Sequence, residues 1–503
     1  MAEPDMELGT PRQSAQQDRL NEIVVGWDGD DDPENPYNWP AWKTNANAAF
    51  LAMLNFVTPL ASSICAPAVP QIMKEFNNSN EVLSAFVVSI YVLGFALGPL
   101  VFAPMSEVYG RSITYHICNA GFVAFIVGCA LAPSLGSLIA FRLLSGIFGS
   151  CPITNGGGSI ADMVPPEKRG LYMGLYSIGP LLGPIVGPVA GGFLTEAKGW
   201  RWVFWLIAIV GGFLTVAMVF FARETYGPVI LQRKVNRLRH GKVAEDQQQL
   251  RSMLDSGLSP SEHFKRSIIR PLRLLVQSPI SIICACYMAL VYGYLYLMFA
   301  SITIVFEENY GFSANNSGLA FLGLGVGSII GIAVIGATSD REIKKQNGSK
   351  LLEAGGNQPE AASATEASKP EQRIRLVPIG GVLLPAGLFF YGWTIQYHVH
   401  WIVPIVAMAV IGTGNMIIFM ALVLYLVDSF SSAYAASALA ANTFVRSLGG
   451  ALLPLAGLRL FNALGLVWGN SLLGFLAVAV IPIPFLLLRY GEQLRIRFEI
   501  EDL

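Results

Sequence analysis

The sequence predicts an all-α membrane protein whose twelve transmembrane helices form two pseudo-symmetric six-helix halves. Three observations carry this expectation. Of the 503 residues, 53% are hydrophobic and only 13% are charged, whereas soluble proteins carry about 25% charge. Apolar stretches long enough to cross ~30 Å of hydrocarbon occur twelve times along the chain. The second half also repeats the first in its spacing of glycine, proline, tryptophan and acid.

The elements follow in order. Residues 1–44 form a polar tail with the acidic run DGDDDPENP, and no cleavable signal peptide is expected there. Spans 1–6 lie near 45–68, 82–104, 113–132, 138–160, 171–195 and 202–222, making an N-terminal half of 45–222. A polar loop, 223–280, follows. Spans 7–12 lie near 281–306, 316–338, 376–396, 400–427, 433–458 and 466–488. The C-terminal half, 281–488, is interrupted by a polar insertion at 339–375 that contains EAGGNQPEAASATEASKPE, and residues 489–503 close the chain.

An even number of crossings places both termini on one side. With that side cytoplasmic, 27 of the 33 Lys and Arg residues fall in cytoplasmic segments, four fall outside, and Arg142 and Arg446 lie within spans. The positive-inside rule therefore predicts cytoplasmic termini. All six cysteines lie in apolar segments and are expected as small buried hydrophobes, not a disulfide framework or metal site.

The repeat has a definite register. At an offset of 233 residues, Gly94 and Gly98 fall on Gly327 and Gly331, and Glu107 falls on Asp340. At 266 residues, Gly146, Asp162, Gly183, Pro188 and Trp202 fall on Gly412, Asp428, Gly449, Pro454 and Trp468. The change of offset matches the insertion at 339–375. Paired halves of this kind enclose a midplane site and rock around it.

Four stretches carry chemistry. The loop after span 2, APMSEVYGRSITY (103–115), places Glu107, Gly110 and Arg111 between two helices, and GATSDR places Asp340 and Arg341 at the equivalent point. With Asp162 and Asp428, these charges are candidates for latching helix ends in one state and releasing in another; ordinary interfacial charge is the alternative. Span 4 carries Arg142 about one and a half turns from the outer surface. An intramembrane arginine is costly and by default functional, unless it snorkels to the interface. Span 5 reads GLYSIGPLLGPIVGPVAGGF over 174–193, with six glycines and three prolines. Small residues at spacing four let another backbone approach closely.

These motifs resemble the signatures of the major facilitator superfamily. Ala103, Glu107 and Val108 depart from its usual glycine, aspartate and basic residue in the first motif. The match at Arg142 implies a role in proton coupling. Gly183, Pro184, Gly187, Pro188, Gly191 and Gly192 fit the superfamily's antiporter pattern, G-x-x-x-G-P-x-x-G-G, without a departure. The stretches WDGDDDPENPYNWP (27–40), ARETYGPVIL (222–231), VHWIVP (399–404) and YLVDSF (425–430) are similar to fungal twelve-span drug:H+ antiporters, which export drugs or secondary metabolites. The resemblance runs from about residue 26 to the end. It implies the major facilitator fold and proton-driven export of a small organic molecule.

No acid lies in the middle of a span, and the only intramembrane charges are arginines. The substrate is therefore expected to be neutral or anionic, in a cavity drawn from Asn55, Thr58, Tyr91, Asn155, Tyr287, Tyr292, Tyr294, Asn415, Asn442 and Arg446. Buried amides and tyrosines also glue membrane helices together, so part of this set is expected to be structural. His116 is the lone mid-membrane histidine and is expected as a packed or lipid-facing residue.

An enzyme is not expected, because no metal-ligand cluster, nucleotide loop or nucleophile constellation is present, and neither is a cofactor. Without the ATP-binding motif G-x-x-x-x-G-K-[ST], energy must come from a gradient. The expected partners are the bilayer, protons and a small organic molecule, with no nucleic acid, and the chain is expected to be monomeric in the plasma membrane. An organic-acid exporter or a uniporter is the second reading, and a non-transporting nutrient sensor the third. Asn77 and Asn315, each in N-N-S, are candidate glycosylation sites on outer loops.

Overall fold

Twelve crossings are present in the computed structural model, which describes residues 23–241, 250–254, 257, 259–353, 370–430 and 432–498, without the side chains of 23, 166–167, 240–241, 260, 263, 339–353, 432–436 and 496. Span 1 is Ala41–Ser63, continued by a 3₁₀ turn, Ala66–Ala68, and a short helix, Val69–Glu75. Span 2 is Glu81–Val108 and span 3 is Arg111–Ala130. Span 4 runs as Leu135–Gly149 and Cys151–Met163, turning at Ser150. Spans 5 and 6 are Pro166–Lys198 and Arg201–Phe221. Spans 7 to 10 are Pro279–Tyr310, Ala314–Glu353, Val377–Gln396 and Ile402–Ser429. Spans 11 and 12 form one run, Ser432–Ala479, broken at Gly465, whose φ of 73° is non-helical; Pro482–Arg497 extends it.

The two halves are built alike, down to single contacts. Gly146 lies against the carbonyl of Tyr91, and Gly412 against that of Leu324. A Cβ at Gly183 would sit 2.8 Å from the carbonyl oxygen of Phe56, and Gly449 meets that of Ala289 in the same way. Each pair is related by the offsets of 233 and 266 residues read from the sequence. The repeated glycines are thus the points where spans 2 and 4, 8 and 10, 1 and 5, and 7 and 11 touch backbone to backbone.

Spans 3, 6, 9 and 12 present large apolar side chains outward, such as Ile117, Phe213, Val382 and Phe475. In a bilayer these meet lipid and need no partner. Five of the six cysteines are buried as expected; Cys286, on span 7, is exposed. Cys284, two residues earlier, turns inward because helical positions two apart lie about 200° apart around the axis.

The polar segments on the side of the termini include further elements. Strand β1 (Ile23–Val25) pairs in parallel with β2 (Leu250–Ser252), joining the N-terminal tail to the central loop. The acidic run closes on the loop helix Gly227–Gly241: Lys234 pairs with Asp28 and Asp32, and Arg237 with Glu34. A second loop helix, Pro260–Gln277, starts at a capping box of Ser259 and Glu262 and touches both span 2 and span 11.

Candidate functional site

At the ends of spans 2 to 6 on the side of the termini, the first motif forms a closed cluster. Gly110 has φ of 103°, and the Glu224 carboxylate fills the space a Cβ would need. Glu224 accepts from the backbone N–H groups of Arg111 (2.9 Å) and Ser112 (3.3 Å), capping span 3 with negative charge. The Arg111 guanidinium donates to Asp162 (3.2 Å) and Ser106 (2.8 Å) and lies over the Tyr226 ring. Ser106 donates to the amide oxygen of Asn155, and the Asn155 Nδ2 donates to the Phe102 carbonyl. In the other half Asp428 pairs with Arg373 at 2.9 Å. Both ion pairs lie within their own halves. Glu107 accepts from Ser267 of the loop helix. The side chains of Asp340 and Arg341 lie outside the described residues.

Arg142 is fully buried and is not part of the lining of the cavity between the halves. Its Nε donates to the carbonyl of Val87 (3.0 Å), Nη1 to Ala61 (2.7 Å), and Nη2 to Ser62 (2.9 Å) and Val88 (3.3 Å). The helical ladder of span 1 stops at the Ile64 N–H, which bonds to Leu60, so the Ala61 and Ser62 carbonyls are orphans of a helix C-terminus. The guanidinium supplies their donors, and its charge suits that end of the dipole. It does not snorkel.

Span 5 solves its proline problem with the side chains of span 1. Pro180 cannot donate to the Tyr176 carbonyl, and Asn55 Nδ2 does so at 2.9 Å. Pro188 leaves the Pro184 carbonyl free, and Ser63 Oγ donates to it at 3.1 Å. Gly179, Gly183, Gly187 and Gly191 pack in sequence on residues 55–64 of span 1, and Gly192 lies against Ala314 of span 8.

Between the halves lies a cavity with about 890 Å³ of empty space, its open mouth included. Its wall comes from spans 1, 2, 4, 5, 7, 8, 10 and 11, and its aromatic faces are Phe95, Tyr292, Tyr296, Phe299 and Phe419. Above it, Tyr296 shares a hydrogen bond of 3.0 Å with Ser62 across the halves, and Phe299 stacks on Phe321 at 5.8 Å. Farther out, Glu81 bonds to Asn462, and Glu196 accepts from the Asn315 N–H at 3.1 Å. The end away from the termini is therefore bridged across the halves. Among the described residues, Arg446 is the only charged group in the lining, which holds no Asp, Glu or His. Arg446 lies over Tyr292 (5.2 Å) and Phe419 (5.1 Å), and its Nε has no hydrogen-bond partner.

Of the ten residues expected in the cavity, Tyr292, Asn415 and Arg446 line it. The other seven do not. Asn55 serves the span 5 carbonyl, and Asn155 belongs to the inner cluster. Tyr91 donates to the Thr58 carbonyl at 2.9 Å, while the Thr58 hydroxyl is itself buried without a partner. Tyr294 donates to Leu473 at 2.8 Å, and Tyr287 lies beside Gly381. Asn442 is buried with its amide oxygen unpartnered. The residues missed were Tyr296, Phe299, Phe95 and Phe419. Tyr292, Tyr296 and Phe299 recur at i, i+4 and i+7, the stripe of one helix face; Tyr287 and Tyr294 belong to another.

The two sequons also differ. Asn77 and Ser79 are exposed on the turn after Val69–Glu75, whereas Ser317 is buried and Asn315 packs beside span 5. His116 shares a hydrogen bond with Ser112 at 3.2 Å, on span 3 and away from the cavity.

Comparison with known proteins agrees with this architecture. The profile of the Major Facilitator Superfamily matches residues 51–454. The chain is 52% identical to the MFS-type transporter tndD of Aspergillus flavipes, over 95% of this chain and 86% of that one. It is 47% identical to the efflux pump radE of Floropilus chiversii, over 94% and 85%. Among solved structures, a D-xylose-proton symporter superposes with a TM-score of 0.64 at 16% identity, covering 88% of this chain and 97% of that one.

Proposed function

Given that this chain belongs to the Major Facilitator Superfamily, a family of membrane transporters and not of enzymes, we propose that it exports a small organic molecule by proton antiport. The observation that carries this reading is the aromatic cavity between two symmetric halves, bridged on its outer side by Tyr296 with Ser62 and by Glu81 with Asn462. A lining of aromatic faces with a few polar groups suits a largely apolar organic ligand. With its other side bridged, the cavity would open toward the termini, where a substrate made inside the cell would enter. The Lys and Arg bias of the loops supports cytoplasmic termini, and the plasma membrane is the proposed location. A relative named as an efflux pump supports the outward direction.

In the transport cycle, the Arg111–Asp162 and Arg373–Asp428 pairs hold each half rigid at its inner end. The loop helix Pro260–Gln277, touching spans 2 and 11, follows their separation. The glycines of span 5 give a smooth surface on which it slides along spans 1 and 8. Arg142 secures the bend in span 1, through which proton-linked movement passes. With no carboxylate in the cavity wall, proton coupling would have to use acids near the span ends or protonation of the substrate itself.

Two measurements test the proposal. Untargeted comparison of small molecules released by the source organism with and without this gene is expected to reveal compounds that accumulate inside when it is absent. Purified protein in liposomes is then expected to move such a compound faster under an imposed pH gradient. Flux unchanged by the gradient would make the protein a uniporter, and an unchanged profile of released compounds would refute export.

A further inference from the structure

We propose that Arg446 is the receptor for an acidic group on the substrate, so that the cargo is an aromatic or polyunsaturated organic acid bound as its carboxylate. This rests on the export reading above and names its substrate class. The argument turns on a contrast between the two intramembrane arginines. Arg142 has its nitrogens occupied by four backbone carbonyls in a fully buried cage. Arg446 makes no hydrogen bond and no ion pair among the described residues. It is half-buried, its Nε is sealed from solvent without a partner, and its residue lines the cavity. An unpaired cation at bilayer depth is costly, and the ring faces of Tyr292 and Phe419 offset only part of that cost. A ligand carboxylate completes the site, because a planar guanidinium accepts it through two parallel bonds.

The surroundings match the rest of such a ligand. Asn415 spends its amide N–H on the Val291 carbonyl at 2.8 Å, which leaves its oxygen as an acceptor beside the cavity. Tyr292, Tyr296 and Phe419 offer flat walls for a conjugated ring system. The lining contains no carboxylate to repel the anion or to hold a cationic drug.

The test uses full-length protein in lipid nanodiscs at pH 7.4, with 2-naphthoate and its uncharged analogue 2-naphthamide as probes. Dissociation constants are read by saturation-transfer NMR. Wild-type protein is expected to bind the naphthoate about tenfold more tightly than the amide, in line with one charge-assisted bidentate contact. Arg446→Met is expected to weaken naphthoate binding far more than amide binding, bringing the two within about twofold. Arg446→Lys keeps the charge but not the fork and should retain an intermediate preference; it also serves if the Met variant fails to fold, as judged by size-exclusion profile. Equal binding of both probes to wild type, absence of naphthoate binding, or a preference that survives Arg446→Met would each overturn the proposal. If the charge preference holds but the profile of released compounds is unchanged without the gene, the export reading fails and the binding assignment stands.

Discussion

Replacing Arg142 by Met tests the reading of that residue as a clamp on span 1. The substitution keeps an apolar stem of similar bulk and removes every donor. Val87 and Val88 lie inside the continuous helix of span 2, so their carbonyls retain helical neighbours. The carbonyls of Ala61 and Ser62 lie where the ladder of span 1 has ended, and Arg142 is their donor at 2.7 and 2.9 Å. Two orphaned carbonyls in a dry site, at about 1–3 kcal/mol each, make an expected loss of about 2–6 kcal/mol. Arg142→Lys retains the charge and can reach one or two carbonyls, so it should lose about half as much. Unfolding in mixed micelles titrated with SDS, followed by tryptophan fluorescence, measures both variants. An Arg142→Met protein within about 0.5 kcal/mol of wild type, the range of an uninvolved surface change, would refute the clamp.

Three further outcomes follow from the same geometry. Asn55→Ala should cost about 1–3 kcal/mol in the same assay, because the Tyr176 carbonyl freed by Pro180 loses its donor. Gly183→Val should cost a similar amount through overpacking against Phe56 and Leu60, and should slow transport more than it slows folding of the separate halves. The third concerns the clasp between the N-terminal tail and the central loop. The backbone N–H groups of Asp28 and Glu34, both at 2.8 Å, hold the Asp32 carboxyl below the usual carboxylate range, with Lys234 adding to the effect. A carboxylate depressed in the folded state contributes stability above its unfolded pKa of about 3.9 and loses it as pH falls. The tail should therefore resist limited proteolysis at neutral pH and become cleavable below about pH 4, and Asp32→Asn should be cleaved at neutral pH already.

Much of the architecture was legible in the chain. Hydropathy alone located the spans, because the ~30 Å thickness of the hydrocarbon imposes a length on every crossing. The repeat was legible for a related reason: glycines at points of backbone contact admit no replacement, so Gly94, Gly146 and Gly183 keep their counterparts Gly327, Gly412 and Gly449. The glycines and prolines of span 5 were read as a packing face, and they are one. What could not be read was its remedy, with Asn55 and Ser63 of span 1 donating to the carbonyls that two prolines leave bare.

The cavity was less legible, for a physical reason. In water, an amphipathic helix announces its inward face by its polar side. In a bilayer, lipid and protein interior are equally apolar, so a span carries little angular signal. Tyr292 and Tyr294 look equivalent in the sequence, yet one lines the cavity and the other donates to Leu473 of span 12. Arg142 and Arg446 are likewise two similar intramembrane charges in the sequence. Their difference lies in neighbours far along the chain, where backbone carbonyls of spans 1 and 2 saturate one guanidinium while the other is left to the aromatic wall of an open space. The sequence by itself determined how many times the chain crosses, which ends carry charge and where helices touch. Only the tertiary structure decided which side chains are spent on holding the helices together and which remain free to meet a substrate, because a hydrogen-bonding group in hydrocarbon is defined by the partner that packing brings to it.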